Sequence, residues 1–306
     1  MRTSNHGKLL IVIVGPTAVG KTYVSVELAN RLSCAVINAD SRQLFREMTI
    51  GTAKPLKEEM KGVKHYFVDD RSVKEEFSAG RFENEVLHVL SEEFKFNDAC
   101  IMSGGSGLYI DAACYGLDSF PKVDAGIREE LNNQLEKEGV DVLYQELLKV
   151  DKDYAEAIES KNTQRIIRGL EIYRASGQTY SSLRLGLNTS RDFNILFIGL
   201  ERPREELYDR INKRVDVMIK EGLFEEAAGL IPYRDKNALQ TVGYNEIFLY
   251  MDGKIDRQEA VRLLKRNSRR YAKRQMTWFK RNQETTWFHP DDIEGMFSYI
   301  KRFLHA

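Results

Sequence analysis

Cysteine is scarce: only Cys34, Cys100 and Cys114 occur in 306 residues, and no two form a C-x-x-C pair. That excludes a cysteine-built metal site. Each thiol sits in or beside an apolar run, which reads as a small buried residue in a reducing compartment. Net charge is also missing, since 46 basic side chains balance 46 acidic ones. Any polyanionic partner must therefore meet a local basic patch and not a global field. No apolar run approaches the ~18 to 20 residues of a membrane span, and the opening MRTSNHGK lacks the apolar stretch of a signal peptide. The expectation is a cytoplasmic protein, neither exported nor embedded. His6 stands alone in that arm and receives no role. With 42% hydrophobic residues the chain can bury one large core, or one core plus a smaller insert. It has no internal repeat and no low-complexity linker.

What is present is a loop of the pattern G-x-x-x-x-G-K-[ST]: Gly15, Pro16, Thr17, Ala18, Val19, Gly20, Lys21 and Thr22. It follows the apolar run Leu9 to Val14 and precedes a helix-like segment from Tyr23 to Leu32. In that context the glycines let backbone N–H groups turn inward around a phosphate, and the helix N-terminus adds partial positive charge. Lys21 and the Thr22 hydroxyl then reach outer oxygens and Mg²⁺. The carrier of the phosphate is not named by the loop.

Further apolar runs at Cys34 to Asn38, Ala99 to Met102 and Phe193 to Leu200 are short and separated by segments of helical period. This pattern predicts a parallel sheet with crossover helices. From Pro121 to about Ser190 there is no strand-like run, only helical spacing such as Ile127, Leu131, Leu135 and later Ile166, Leu170, Tyr173. The fold expected is α/β: a P-loop NTPase-like parallel sheet with helices on both faces, formed by 1–120 and 191–306, and a helical insertion at 121–190. After the Phe193 to Leu200 strand, Pro203 opens a helix to Glu221 with Leu207, Ile211, Val215 and Met218 on one face, ended by Gly222. Helices are expected to dominate from there to the end.

Asp40 closes the second strand at the carboxyl edge of the sheet, where open α/β folds place ligands. It should face the phosphate loop, as a general base, a Mg²⁺ ligand through water, or a helix N-cap. The strand Cys100-Ile101-Met102 ends in Ser103-Gly104-Gly105-Ser106-Gly107 without an acid, where many phosphate-loop NTPases carry a Mg²⁺-binding Asp. That absence weakens an NTPase reading. The glycines there allow close backbone approach or make a tight turn and nothing more. Lys54 in Gly51-Thr52-Ala53-Lys54-Pro55 either meets a phosphate or stays solvated, and composition alone favours solvation. Arg210 and Arg214, four apart on the Pro203 helix, are a diphosphate clamp or two solvated surface residues.

Val261 to Arg281 contains Arg262, Lys265, Arg266, Arg269, Arg270, Lys273, Arg274, Lys280 and Arg281 and no acid. On a helix, Arg262, Arg266, Arg269, Lys273 and Lys280 fall on one side, and Leu264, Tyr271, Trp278 and Phe279 on the other. The helix is expected to dock on the core and show cations outward. A solvated face usually mixes signs, so the run points toward a phosphodiester backbone. Arg165 and Arg168 in the insert are further candidates for nucleic-acid contacts or ordinary helix surface.

Together these segments resemble the tRNA dimethylallyltransferases, or isopentenyl-tRNA transferases, over nearly the whole chain. The blocks appear in order: GPTAVGKT at 15–22, DSRQ at 40–43, GTAKP at 51–55, GGSGLYI at 104–110, QRIIRGLE at 164–171, RINKRVDVM at 210–218, VGYNE at 242–246 and RRYAKRQMTWF at 269–279. Departures are small. Phe45 stands where Tyr is usual, Gly-Gly-Ser replaces Gly-Gly-Thr, and Ser268-Arg269 replaces Thr-Arg. The chain stops at Ala306 without the zinc-finger extension of some eukaryotic members, so the resemblance implies a bacterial-type enzyme without zinc.

The resemblance further implies transfer of the dimethylallyl group from dimethylallyl diphosphate to N6 of adenosine 37 in tRNA, releasing diphosphate, with Mg²⁺ as cofactor. The diphosphate would then occupy the loop, which explains the acid-free strand end. Asp40 becomes the general base, and Thr17 and Arg214 contact the diphosphate, with Arg210 left open. The flipped adenosine is read by Gln43. Asp40, Ser41, Arg42, Gln43, Ser106, Arg128, Gln164, Arg165, Ile166, Ile167 and Arg168 face tRNA, the insert grips the anticodon stem-loop, and the basic helix meets backbone phosphates. A monomer is the default. Two other readings remain: a small-molecule kinase suggested by residues 15–22 alone, and a non-catalytic RNA-binding protein.

Overall fold

The computed structural model describes residues 7–118, 120–184, 186 and 189–304, so His6 lies outside the described residues. The chain divides into two compact units, one running to Cys114 and resuming at Ser190, the other Tyr115–Thr189. In chain order come β1 (Leu9–Val14), α1 (Lys21–Leu32), β2 (Val36–Asn38), α2 (Lys57–Met60), β3 (His65–Tyr66), α3 (Ala79–Glu93), β4 (Ala99–Gly104) and α4 (Gly107–Tyr115). The inserted unit follows with α5 (Ala125–Glu138), α6 (Val140–Val150), α7 (Lys152–Glu156), α8 (Thr163–Ser176) and α9 (Tyr180–Leu183). The chain then returns through β5 (Asn194–Leu200), α10 (Arg204–Lys220), α11 (Leu223–Gly229), α12 (Asn245–Met251), α13 (Arg257–Phe279), β6 (Thr286–Phe288) and α14 (Ile293–Leu304).

The six strands form one parallel sheet in the order β3-β2-β4-β1-β5-β6. At its centre Ile11 pairs with Ile101 on one side and Leu196 on the other. Every residue of β1 and β4 is buried. That double burial is why LLIVIV reads as a continuous apolar run and not as an alternation. Leu9, Ile11 and Ile13 pack with Val24 and Leu28 of α1, Leu207 and Ile211 of α10 and Met296 and Ile300 of α14. The three cysteines are buried free thiols, and burial pushes the Cys34 thiol up to about 12.

Helices do not have the C-terminal third to themselves: β6 pairs in parallel with β5, Ile198 opposite Thr286 and Leu200 opposite Phe288. β3 and β6 are two and three residues long, too short to show a strand period. The basic helix also begins earlier than its charge run suggests. Asp256 caps it by accepting from Glu259 N at 2.7 Å, which brings an acid, Glu259, into its first turn. The inserted unit has its own core, in which Leu131, Leu143, Leu147, Ala155, Ile166 and Leu170 are fully buried. Among the described residues no helix is long and apolar enough to cross a membrane.

Candidate functional site

The site starts where β1 ends. A Cβ on Gly15 would meet the Leu200 carbonyl at 2.8 Å, so only glycine lets the chain turn here beside β5. Ala18 sits in the left-handed region at φ 64, and Gly20 opens α1 at φ 118 without a side-chain cap. The first N–H groups of a twelve-residue helix are thereby left to an incoming anion. Three side chains hold the strained loop by its backbone. Gln275 Oε1 accepts from Thr17 N at 2.8 Å, Arg210 Nε donates to Ala18 O at 2.9 Å, and Arg202 Nε donates to Val19 O at 3.0 Å. Lys21 donates to Gly15 O and Pro16 O, both at 3.0 Å. Burial lowers its pKa to about 8 against the opposing pull of Asp40, with Arg214 lowering it further. The site is thus preset to accept negative charge.

Asp40 follows β2 and is half-buried. Its Oδ1 accepts from Arg42 N at 2.9 Å and Gln43 N at 3.3 Å. The carboxylate therefore does act as a cap, but of the turn at 41–44 and not of a helix. Oδ2 accepts no hydrogen bond from the described residues, so one oxygen is fixed and the other is available to a ligand. Gly104 lets β4 approach Ala39 so closely that a Cβ would run into the Ala39 backbone. Beside it, the Ser106 hydroxyl accepts from Ser41 N at 2.8 Å and donates to Ser41 Oγ at 3.1 Å. Arg42 donates to Asn237 O at 2.7 Å, and burial lowers its pKa against the pull of Asp40.

The GTAKP loop completes the enclosure. Gln43 Nε2 donates to Thr52 O and Ala53 O, both at 3.1 Å. Arg214 donates to Ala53 O at 3.2 Å and reaches Thr17 Oγ1 at 3.5 Å. Burial lowers the Arg214 pKa while Asp40 raises it. Lys54 corrects the composition-based expectation of a solvated side chain. It is buried at 5% exposure and donates to Phe45 O at 2.7 Å, Arg46 O at 3.2 Å and the Asp69 carboxylate. Its ammonium ties this loop to the carbonyls at 45 and 46 before it and to Asp69 after it, at the edge of the wider cavity that it helps to line.

Two cavities meet here. The wider, about 780 Å³, is walled by Thr17, Gly20, Lys21, Thr22, Arg210 and Arg214. The narrower, about 90 Å³, has apolar walls from Ile211, Val215, Met218 and Leu264. Asp40, Arg214 and Tyr271 line both. A carboxylate thus stands between a cationic chamber and an apolar one. Among the described residues no group of three or more His, Cys, Asp or Glu could hold a metal ion. A divalent cation would have to rest on hard oxygen donors such as the Thr22 hydroxyl together with a ligand's own phosphate oxygens, which suits Mg²⁺.

In the inserted unit Gln164 and Arg165 are exposed on the first turn of α8. Ile166 and Ile167 correct their expected contact with tRNA: at 0% and 6% exposure they belong to the unit's apolar core. Arg128 and Arg168 both pair with the buried Glu171, Arg128 Nε at 2.8 Å. On α13 much of the outward charge is already partnered. Arg262 pairs with Glu259, Lys265 with Asp216 and, just beyond the helix, Lys280 with Glu201, while Arg269 donates to Asn212 Oδ1 at 2.6 Å. The exposed cations Arg270, Lys273 and Arg274 have no ion pair among the described residues.

Gln275 carries more of the site than its sequence suggests. Besides holding Thr17 N, its Nε2 donates to Gly105 O at 3.0 Å, so one buried amide joins the phosphate loop to the Gly104-Gly105 turn. It lies 258 residues from Thr17, and no local period marks it beyond its place inside the RRYAKRQMTWF block. Gln275→Met keeps the volume and strips both backbone groups of their partners. Urea unfolding should then show a loss of about 2–6 kcal/mol, since each of the two polar groups left unpaired costs ~1–3 kcal/mol. A loss under ~0.5 kcal/mol would mean that water replaces the amide.

A model of the IPP transferase family matches residues 43–282. The chain is 50% identical to a tRNA dimethylallyltransferase of Cytophaga hutchinsonii over 97% of its own length and 98% of the relative's. It is 46% identical to tRNA dimethylallyltransferase 1 of Bacteroides fragilis, over 96% and 98%. Among solved structures it is similar to the tRNA isopentenylpyrophosphate transferase of Bacillus halodurans, with a TM-score of 0.72, 39% identity, and 98% and 97% of the two chains covered. It is also similar to a eukaryotic dimethylallyltransferase acting on tRNA, with a TM-score of 0.71 and 29% identity over 89% and 69%.

Proposed function

This chain belongs to the IPP transferase family, and from that premise we propose how its residues divide the work of tRNA dimethylallylation. The reaction moves the dimethylallyl group from dimethylallyl diphosphate to N6 of adenosine 37 and releases diphosphate. The observation that carries the reading is Asp40, with one oxygen fixed by its own turn and the other open between a cationic and an apolar cavity.

The N6 amine is a poor nucleophile because its lone pair is delocalised into the adenine ring. Asp40 Oδ2 takes the N6 proton as nitrogen bonds to C1 of the allyl group. The C1–O bond breaks in the same step, and its electron pair leaves on diphosphate. That growing charge meets Lys21, Arg214, the Thr17 hydroxyl and the open N–H groups of α1. Once an anion arrives, Lys21 exchanges its two loop carbonyls for phosphate oxygens. Ile211, Val215, Met218 and Leu264 shelter the five-carbon chain from water. Thr22 would hold Mg²⁺, which when bound neutralises charge on the departing diphosphate.

The adenosine is flipped from the anticodon loop into the pocket, with Gln43 as reader. Its amide N–H groups are bound to Thr52 O and Ala53 O, so it meets the base through its carbonyl oxygen, a suitable acceptor for N6–H. Ser41, Arg42 and Ser106 build the turn around that pocket. Arg128, Gln164, Arg165 and Arg168 serve the insert's grip on the anticodon stem-loop.

Arg270, Lys273 and Arg274 are the cations of α13 that meet tRNA phosphates. Lys273→Gln should weaken tRNA binding severalfold and lower the slope of log K against log salt by about 1, leaving the KM for dimethylallyl diphosphate unchanged. An unchanged salt slope would remove Lys273 from the interface. The function itself is tested by nucleoside analysis of tRNA incubated with the protein, Mg²⁺ and dimethylallyl diphosphate.

A further inference from the structure

Glu226 of α11 lines neither cavity, yet its carboxylate organises the loop that does. Oε2 accepts from Thr49 N at 2.9 Å and Ile50 N at 2.7 Å, and Oε1 accepts from Gly51 N at 2.9 Å and the Tyr244 hydroxyl at 2.7 Å. Tyr244 is fully buried. A Cβ on Gly51 would fall 2.6 Å from its hydroxyl, so glycine is what lets the loop reach this pair. Three successive peptide groups are thus fixed by one side chain. The next two carbonyls of the same loop do different work: Thr52 O and Ala53 O hold the Gln43 amide, and Ala53 O also holds Arg214. On the other side, the buried Lys54 ammonium stops the loop from sliding.

We propose that Glu226, braced by Tyr244, is a positioning residue for transfer: by holding 49–51 it places the carbonyls that aim Gln43 and Arg214 into the shared cavity. The inference rests on the reading that Arg214 meets the diphosphate. Interior N–H groups of a loop need acceptors in any fold. What assigns this acceptor a role in the reaction is that the carbonyls immediately following are the anchors of two cavity-lining side chains. Both the donor side and the base-reading side therefore depend on one carboxylate outside the pocket.

The test is a double-mutant cycle of Glu226→Gln with Arg214→Gln, read as kcat and KM for dimethylallyl diphosphate at saturating tRNA. Glu226→Gln keeps the shape but sets an amide N–H₂ where an oxygen had accepted. Alone it should raise the donor KM about tenfold, the effect of weakening one or two charge-assisted hydrogen bonds, with the circular dichroism spectrum and tRNA Kd near wild type. In the double variant the donor KM should stay within about twofold of that of Arg214→Gln alone, because on the donor side Glu226 acts through a group already removed, while any loss through Gln43 would appear in kcat. Donor KM losses that multiply, or a Glu226→Gln enzyme with wild-type kinetics and only a lower Tm, overturn the inference. Arg214→Gln without a donor defect sinks the Arg214 assignment and this inference with it; a defective Arg214→Gln with multiplying losses sinks this inference alone. Should Glu226→Gln fail to fold, Tyr244→Phe removes a single hydroxyl and enters the same cycle, with a severalfold rise in donor KM expected alone and no further loss beside Arg214→Gln.

Discussion

Asp40→Asn lowers kcat by ~10²–10⁴, the usual contribution of a positioned base, while tRNA affinity changes less than about twofold. The amide is the informative substitution because Asp40 has two jobs. Oδ1 caps the 41–44 turn through Arg42 N and Gln43 N, and an asparagine oxygen still accepts both bonds. What it cannot do is take a proton at the other position. Asp40→Ala should abolish turnover as well, but it also frees the turn that carries Gln43, so its loss mixes base and scaffold. Single-turnover kinetics with excess enzyme separates the two: the asparagine variant should be slow in chemistry and normal in binding. Unchanged single-turnover rates would remove Asp40 from the role of base.

Arg214→Gln should lower kcat/KM for dimethylallyl diphosphate by ~10²–10³, comparable with the loss of one strong donor to developing negative charge. The size follows from its place at the cavity wall. Arg214 is half-buried, desolvation disfavours its charge, and Asp40 works against that cost. A cation held in such a place interacts strongly with an arriving diphosphate, because little water screens it. Glutamine still reaches toward Ala53 O but brings no charge. The tRNA Kd, measured without donor, should be unaffected. A defect confined to tRNA affinity would move Arg214 from the donor side to the nucleic-acid side.

The parts of this site that were legible in the sequence are those built by neighbours in the chain. β1, the loop at 15–22 and α1 form one continuous stretch, and their apolar run, glycines and helical period are local signals. Asp40 was legible for the same reason, as the acid closing a strand edge. Arg214 was marked by spacing alone, and only the fold brings it to Thr17, 197 residues away. Lys54 was misread because composition knows nothing of the carbonyls at 45 and 46 or of Asp69, which together satisfy a buried ammonium. Ile166 and Ile167 sat inside a block that resembles a tRNA-contacting segment, but a helix turns 100° per residue and these two face the core. Glu226 gave no local sign, and Gln275 none beyond its place inside the block at 269–279. Each holds backbone groups far away in sequence, and no periodicity encodes that. β3 and β6 escaped because they are short and neither sits in a continuous apolar run such as Cys34 to Asn38, which marked the equally short β2.

The outward charge of α13 carries a similar lesson. In sequence the run from Val261 looks uniformly cationic, yet acids from α10 and from the end of β5, together with Glu259 at its own start, neutralise several members. The effective basic surface is shorter, centred on Arg270, Lys273 and Arg274.

The most direct measurement is mass-spectrometric analysis of nucleosides from unmodified tRNA incubated with the protein, Mg²⁺, dimethylallyl diphosphate and, in a parallel reaction, ATP in place of the allylic donor. The account predicts N6-dimethylallyl adenosine at position 37 with one diphosphate released per product, and no nucleotide hydrolysis or phosphoryl transfer with ATP. Nucleotide turnover without prenylated adenosine would contradict it and return the phosphate loop to a kinase.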